Sequence, residues 1–309
     1  MPFYTSFQVT KTKNSKMIEI RILKLDGQIP DRMCEVAQQC FGEDFVNRQI
    51  LQNTWRNCPL GTRVYAAYEN RELLAFNFFL AHRAIIGGAP SLVFQSCHSG
   101  TSTSARGRGL FSKIINYAKE DLALHGDYIV GFPNDKSEPI FLNKLGFKAV
   151  PLTRIYIPCT PASLSVLLFD INAYDRAKVD QSLVRIDQYA AAHWKQSEQP
   201  GGIIIFEYEK NFIWGRPFER IVLGRKLIFF DAGGCELNKP LLLKKTLESL
   251  RRMHGVDVVR FVCSADSLLG QTWRWQLGGD KTEPLIWFPL RKNLSTPKFD
   301  VYTGLKDVY

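Results

Sequence analysis

The segment Gln95–Leu110, QSCHSGTSTSARGRGL, concentrates the residue types in this chain that could do chemistry. A strand-like run enters a turn of small residues, and Arg106-Gly107-Arg108-Gly109 then opens a helix. Two cations at a helix start oppose the macrodipole, whose N-terminal end is already partly positive, so the pair predicts a compensating anion. The glycines let a large anion approach the backbone. The N–H groups of a first helical turn bind phosphate oxygens. These residues therefore suit a pyrophosphate cradle; the plainer alternative is a solvated turn with two surface arginines. The loop fits neither G-x-x-x-x-G-K-S/T nor G-x-G-x-x-G. His98, with an ordinary pKa of ~6.5, suits proton transfer near neutrality, or else is a structural strand residue. Cys97 beside it would point to the opposite face of a strand, so a Cys–His nucleophile pair is not expected. His82, His125, His193 and His254 lack metal-ligand spacing to cysteines or carboxylates and are read as structural, so no metal is expected.

The elements that position this segment follow from periodicity. Met17–Leu25 alternates as a strand, and Ile29–Phe41 carries Met33, Val36, Ala37 and Cys40 at helical spacing. Val64–Tyr68 and Leu73–Ala81 are strands joined by a Glu69-Asn70-Arg71-Glu72 hairpin turn, and Ser91–Cys97 is a third. Leu110–Leu124 is a helix closed by Gly126, Tyr128–Phe132 a strand, and Ser137–Leu145 a short helix capped by Ser137 and ended by Gly146. A strand at about Arg154–Ile157 completes this half. Helix-like stretches around Ser163–Arg176 and Asp187–Trp194 connect to a weaker copy. That copy has strands at Ile203–Tyr208 and Arg220–Phe230, a helix at Lys239–Met253 capped by Gly255, a strand at Val256–Val262, a helix at Ser267–Leu277 and a strand at Leu285–Leu290. The alternation predicts an α/β protein, a mixed sheet flanked by helices, with an internal duplication.

Ser104-Ala105-Arg106-Gly107-Arg108-Gly109 resembles motif A of the GNAT superfamily of acyl-CoA-dependent N-acyltransferases, Q/R-x-x-G-x-G/A, with Ser at its first position. Gly131-Phe132-Pro133-Asn134, followed by Phe141-Leu142-Asn143-Lys144-Leu145-Gly146-Phe147, looks like the family's motif B. This variant is similar to GNAT-type sugar N-acyltransferases of surface-polysaccharide biosynthesis, some with a second, degenerate GNAT half. The resemblance implies a GNAT domain with the CoA site over residues 1–158 and a degenerate GNAT-like domain over 159–309. It implies an acyl-CoA donor, acetyl-CoA or 3-hydroxybutanoyl-CoA. The acceptor would be the amine of a nucleotide-linked, often dTDP-linked, deoxyamino sugar such as a 3-amino-3,6-dideoxyhexose.

By the same resemblance, Ser99 and Thr101 face the thioester and pantetheine, and Asn134 and Ser137 lie beside the pantetheine arm. Ser104, Arg106, Gly107, Arg108, Gly109 and Leu110 surround the pyrophosphate. A backbone N–H near Ser99 would hold the oxyanion, with His98 as base or with alignment alone supplying the rate. Leu142 stands where many members carry a Tyr acid, so Cys97, Ser137 or water would protonate the thiolate, or it leaves unaided, a thiol pKa being only about 8.5. Trp55, Trp214, Trp273 and Trp275 are candidates to cover the acceptor, and Arg216 to pair with its diphosphate. Two other readings stay open: a tRNA-dependent aminoacyl transferase of the Fem type, and a non-catalytic CoA-binding module.

Composition bounds these readings. The 309 residues are about two domains at roughly 150 residues each. With 45% hydrophobic and 23% charged residues the chain is globular rather than disordered. Its net charge of +10 favours an anionic partner. The odd, scattered set of seven cysteines has no C-x-x-C pair and points to a reducing compartment. No signal peptide or membrane span is evident, so a cytoplasmic protein is expected, monomer or homodimer, with no nucleic-acid partner.

Overall fold

The computed structural model describes residues 9–10, 17–23, 28–42, 46–165, 180, 182–198, 202–237, 242–267, 269–270, 282–291, 294, 296–300 and 302. In chain order these form β1 (Val9–Thr10), β2 (Ile18–Leu23), α1 (Asp31–Phe41), α2 (Arg48–Asn57), β3 (Thr62–Glu69), β4 (Glu72–Ile86), β5 (Ala89–Thr101) and α3 (Leu110–Leu122). β6 (Tyr128–Gly131), α4 (Glu138–Lys144), β7 (Lys148–Val150), β8 (Leu152–Pro158), α5 (Pro161–Ser165), β9 (Leu183–Ile186) and α6 (Gln188–Glu198) come next. β10 (Ile204–Tyr208), β11 (Asn211–Val222), β12 (Arg225–Leu237), α7 (Leu243–His254), β13 (Val258–Ser264), β14 (Leu285–Pro289) and β15 (Lys298–Asp300) follow.

The chain divides into two compact units. One is Met1–Ala81, Leu92–Lys148 and Ile286–Lys292; the other is His82–Ser91, Ala149–Leu285 and Asn293–Tyr309. In the first unit the strand order is β1-β2-β3-β4-β5-β6-β14. The β3–β4 turn has Asn70 and Arg71 both at positive φ, 50° and 70°. That is the two-residue hairpin geometry whose twist matches the strands, and the Asn in the sequence signals it. Strand alternation sorts side chains to two helical layers. Tyr65, Ala75 and Phe79 share a core with Ile114, Ile115, Ala118 and Leu122 of α3 and Phe141 of α4. Phe76 and Phe78 lie between those β4 positions and face the other way, where Val36 of α1 meets the Phe76 side of β5. Tyr65 Oη and Arg63 Nη1 both donate to Asp121 Oδ2, at 2.5 and 2.8 Å, and tie α3 to β3.

α2 goes beyond the sequence expectation. Its segment RQILQNTWRN has few apolar residues, but Asn47 caps it by accepting from Ile50 N at 3.0 Å. The strand expected at Arg154–Ile157 forms as β8 and pairs antiparallel with β13 of the second unit, from Leu152↔Ser264 to Pro158↔Val258. Conversely β14, from the C-terminal part of the chain, pairs with β6 from Ile286↔Gly131 to Pro289↔Tyr128. The second unit's main sheet has the order β10-β11-β12-β13-β8, with β12 and β13 parallel. Leu243, Leu247 and Leu250 of α7 pack into its core with Phe230, Val259 and Phe261. Gly255 ends α7 at φ 67°, as a C-cap glycine should. The stretch expected as one strand over Arg220–Phe230 is instead a hairpin that reverses at Leu223-Gly224. The helices expected around Ser163–Arg176 and Ser267–Leu277 lie largely outside the described residues.

Lys119 of α3 illustrates how the first unit is pinned. Its Nζ donates to Leu145 O, lies 3.8 Å from the Phe288 ring centroid and 5.0 Å from that of Phe147, and burial pushes its pKa down to about 8. An unfolded lysine titrates near ~10.4. Below pH 8 both states carry the proton. Between about 8 and ~10.4 the unfolded chain binds more protons, so stability gains with rising pH. Urea unfolding of the native chain and Lys119→Met at pH 7 to 10 is expected to show the native chain gaining relative to the variant above pH 8. Half-exposure keeps the slope well under the ~1.4 kcal/mol per pH unit limit. Parallel curves would overturn this.

Candidate functional site

The site is built where β5 and β6 part. The two parallel strands are hydrogen-bonded from Val93↔Tyr128 to Ser96↔Gly131, and β6 then ends while β5 runs on to Thr101. β5 stays held on its other side, with Ser102 N–H donating to Leu74 O at 2.8 Å. The departure coincides with His98 at φ 41°, a left-handed conformation for a non-glycine residue. Such a residue costs about 1–3 kcal/mol and persists where the surroundings enforce it, often at functional sites. Cys97 and His98 are both buried. The His98 ring is 7% exposed; its Nε2 is 3.2 Å from Thr54 Oγ1 on α2, and it meets Phe78 edge-on. Trp55, next to Thr54, is half-buried. Asn77, fully buried on β4, exchanges hydrogen bonds with Ser96 Oγ at the last paired rung, Nδ2 donating at 3.1 Å.

β5 passes through Ser99 and Thr101, both half-buried, into a single 3-10 turn, Thr103–Ala105. Gly107 and Gly109 then adopt φ 77° and 71°, and a β carbon on either would meet nothing within 4 Å. Gly109 precedes α3 with no side-chain cap. Lys113 N–H donates to Gly109 O at 3.1 Å, so the N–H groups of Leu110, Phe111 and Ser112 form the open first turn of the helix. The Leu110 side chain is buried in the core and contributes backbone only. An uncapped helix start behind open glycines suits phosphate oxygens.

The arginines are already engaged. Arg108 Nη2 and Nη1 reach Glu69 Oε1 and Oε2 at 2.6 and 3.4 Å, so the compensating anion that two cations demand is in part Glu69 at the end of β3. Arg106 Nη2 donates to Gln39 O at 3.2 Å, beside Cys40 Sγ. Gln39 also holds the turn, accepting from Thr103 N at 3.2 Å, and Cys40 Sγ donates to Thr101 O. Ser104 Oγ is 3.3 Å from Ser102 Oγ. Gln39, Cys40 and Glu69 were not among the residues expected from sequence; their partners lie 39 to 67 positions away, so no local spacing reports them.

After β6, Asn134 Oδ1 accepts from Lys136 N and Ser137 N at 3.1 and 3.0 Å, and Asn134 N donates to Ser137 Oγ at 3.1 Å. Ser137 is the N-cap residue of α4, as expected, but its hydroxyl bonds Asn134 rather than a first-turn N–H, and the Asn134 amide oxygen is spent on the turn. Leu142 packs against the core of the first unit. Trp214 is corrected as a substrate-stacking residue. It lies in the second unit, is 0% exposed, and donates Nε1–H to Gln188 Oε1 at 3.4 Å. A β carbon at Gly233 would sit only 2.5–2.7 Å from its ring atoms, and with no exposed surface the ring offers no face to a ligand. Arg216, on the same strand, is exposed. Trp273 and Trp275 lie outside the described residues.

The second unit has a related divergence with different contents. β12 and β13 are paired from Phe229↔Val258 to Ala232↔Phe261. Just beyond, Tyr302 bridges to Cys263, and its hydroxyl meets Cys235. Tyr302 is 1% exposed, and burial pushes the Cys263 thiol up to about 12. Tyr302 thus occupies the position between these strands. Among the described residues none of the seven cysteines is in a disulfide, no group of His, Cys, Asp and Glu could hold a metal, and no helix is long and apolar enough to cross a membrane.

No protein-family model and no curated protein matches the sequence. Solved structures do match the fold. A GCN5-related N-acetyltransferase from Anabaena variabilis ATCC 29413 superposes with TM-score 0.59 at 11% identity, over 84% of this chain and 70% of that one. Eis1 from Mycobacterium abscessus gives 0.56 at 12% identity, over 88% and 73%. A GCN5-related N-acetyltransferase from Kribbella flavida gives 0.53 at 12% identity, over 87% and 71%. The parting parallel strands and the glycine-opened helix belong to a mixed α/β architecture that is the fold of the GCN5-related N-acetyltransferases.

Proposed function

We propose that this chain is an acyl-CoA-dependent N-acyltransferase of the GNAT type, and that its acceptor is the amine of a nucleotide-linked deoxyamino sugar. The observation that carries the reading is the parting of β5 and β6 beyond Ser96↔Gly131, next to an uncapped helix start behind Gly107 and Gly109. In this reading the pyrophosphate of acyl-CoA, with acetyl or 3-hydroxybutanoyl as the acyl group, lies on the first turn of α3 with Arg106 and Arg108 beside it. The pantetheine arm follows the edge of β5 that β6 has vacated, past Thr101 and Ser99. A backbone N–H near Ser99 takes the oxyanion, and such a donor supplies ~3–4 kcal/mol. The neutral amine attacks the thioester carbon, the C–S bond breaks, and the departing thiolate takes up, through water, the proton that the amine nitrogen gives up, with no protein acid at Leu142. Trp55 on α2 covers the acceptor. The second unit, read as a degenerate GNAT-like half, holds no second CoA, in keeping with Tyr302 between its strands.

The test is release of free thiol from acetyl- and 3-hydroxybutanoyl-CoA. Release that requires an amino sugar nucleotide supports the reading. Dependence on charged tRNA, or CoA binding with no turnover on any amine, overturns it in favour of a Fem-type transferase or a CoA-binding module.

His98 is expected to matter less than a dedicated base. Its Nε2 is directed to Thr54 and its ring is nearly buried. His98→Asn is therefore expected to lose less than ~100-fold in kcat, where a general base supplies roughly 10²–10⁴-fold. A larger loss, with disappearance of one limb of the pH profile, would make His98 the base.

A further inference from the structure

The β11–β12 hairpin carries two apolar residues in water. Leu223 is 99% exposed and Ile221 is 76% exposed. Leu223 and Gly224 form the turn, with φ 49° and 74°. A turn with both central residues left-handed favours Asn-Gly. Leucine there bears a steric cost and also leaves its side chain in solvent, and no contact among the described residues explains it. The hairpin also outruns its sheet. β10 flanks β11 only over Asn211–Gly215, and β13 flanks β12 only over Phe229–Ala232. Ile228 N–H still donates to Asp257 Oδ2 at 2.8 Å. Beyond it, Glu219–Leu227 is a two-stranded ribbon roughly 13 Å long at about 3.4 Å per residue. A lone ribbon adds little stability in water, so these residues do not serve a core.

Charge decides what the tip meets. Arg220, Arg225 and Lys226 are exposed on the ribbon against one carboxylate, Glu219, whose Oε1 is 2.6 Å from Lys226 Nζ. The cross-strand pairs Ile221↔Lys226 and Val222↔Arg225 place cations directly beside the apolar tip. Two copies meeting tip to tip would oppose like charges. A lipid surface with anionic headgroups instead receives Leu223 and Ile221 at the acyl boundary while the arginines remain at headgroup depth. We propose that the Leu223 tip docks this protein reversibly on an anionic bilayer surface.

The test is co-sedimentation of the full chain with phosphatidylcholine vesicles, with and without about one-third phosphatidylglycerol, at low and high salt, since screening weakens such contacts. The native chain is expected to partition about tenfold more onto the anionic vesicles at low salt, and to lose that preference in about 0.5 M salt. I221S/L223S is expected to lose at least about tenfold, as is R220Q/R225Q, with unfolding midpoints unchanged because the tip is exposed. Equal binding to both vesicles, or anionic binding retained by I221S/L223S, overturns the proposal. So does light scattering without lipid that shows the native chain dimeric and I221S/L223S monomeric, which would assign the tip to a second copy.

Discussion

Arg106→Ala combined with Arg108→Ala is expected to weaken CoA binding by about tenfold or more, read by calorimetry, because a charge-assisted phosphate contact is worth roughly 1.5–3 kcal/mol. The two residues should not contribute equally. Arg106 gives up only a neutral carbonyl, Gln39 O, to meet a phosphate, whereas Arg108 must leave or share the Glu69 carboxylate. Arg106→Ala alone is therefore expected to cost more than Arg108→Ala. Glu69→Gln is expected to tighten CoA binding a few-fold, because it removes the competing anion. Both guanidinium groups are solvent-accessible, so the unfolding midpoint should barely move. Unchanged CoA affinity in the double variant, with a native midpoint, would falsify the pyrophosphate cradle.

The asymmetry between the two arginines marks where sequence reading ends. Arg106-Gly107-Arg108-Gly109 was legible because glycine spacing and a following apolar stripe report a loop and a helix start locally. Glu69 was not, because it reaches Arg108 only once the β3–β4 hairpin folds beside β5. The same division holds for strands. Arg154–Ile157 and Leu285–Leu290 read as strands from their own residues and form as β8 and β14, but period-2 alternation carries no information on which sheet receives them. Their partners, β13 and β6, are set by long-range packing. Ile221, Leu223, Arg225, Leu227 and Phe229 fall at every second position, so the reversal at Leu223 is hidden inside an apparent strand. His98 gives little sign of its positive φ, because only a few per cent of non-glycine residues adopt it even with histidine among the enriched types, and its contacts with Thr54 and Phe78 form only in the fold. Trp214 looked like a stacking residue by type alone; Gly233 and Gly234 make room for it in the interior.

Gly100→Ala is expected to destabilise the first unit by about 2 kcal/mol and to lower acyl transfer by about tenfold or more. A β carbon at Gly100 would sit 2.8 Å from Phe76 Cε1, 3.0 Å from Phe76 Cζ and 3.3 Å from Val36 Cγ1. Phe76 and Val36 are both fully buried, so neither can yield without moving β4 or α1. The entropy gained by replacing a strand glycine, about 0.5–1 kcal/mol, does not offset overpacking of that kind. If β5 moves instead, Ser99 and Thr101 on either side of Gly100 shift with it, and small displacements of aligned groups cost rate steeply. Gly100→Ala with Phe76→Leu should recover part of the stability by removing the ring edge, and the double-mutant cycle measures that coupling directly. Turnover should recover with stability only if the strand returns to its native position. A Gly100→Ala protein with native midpoint and native thiol release would mean that β5 is not clamped between α1 and β4 at this point. The placement of the Ser99 backbone would then have to be enforced from the His98 kink alone.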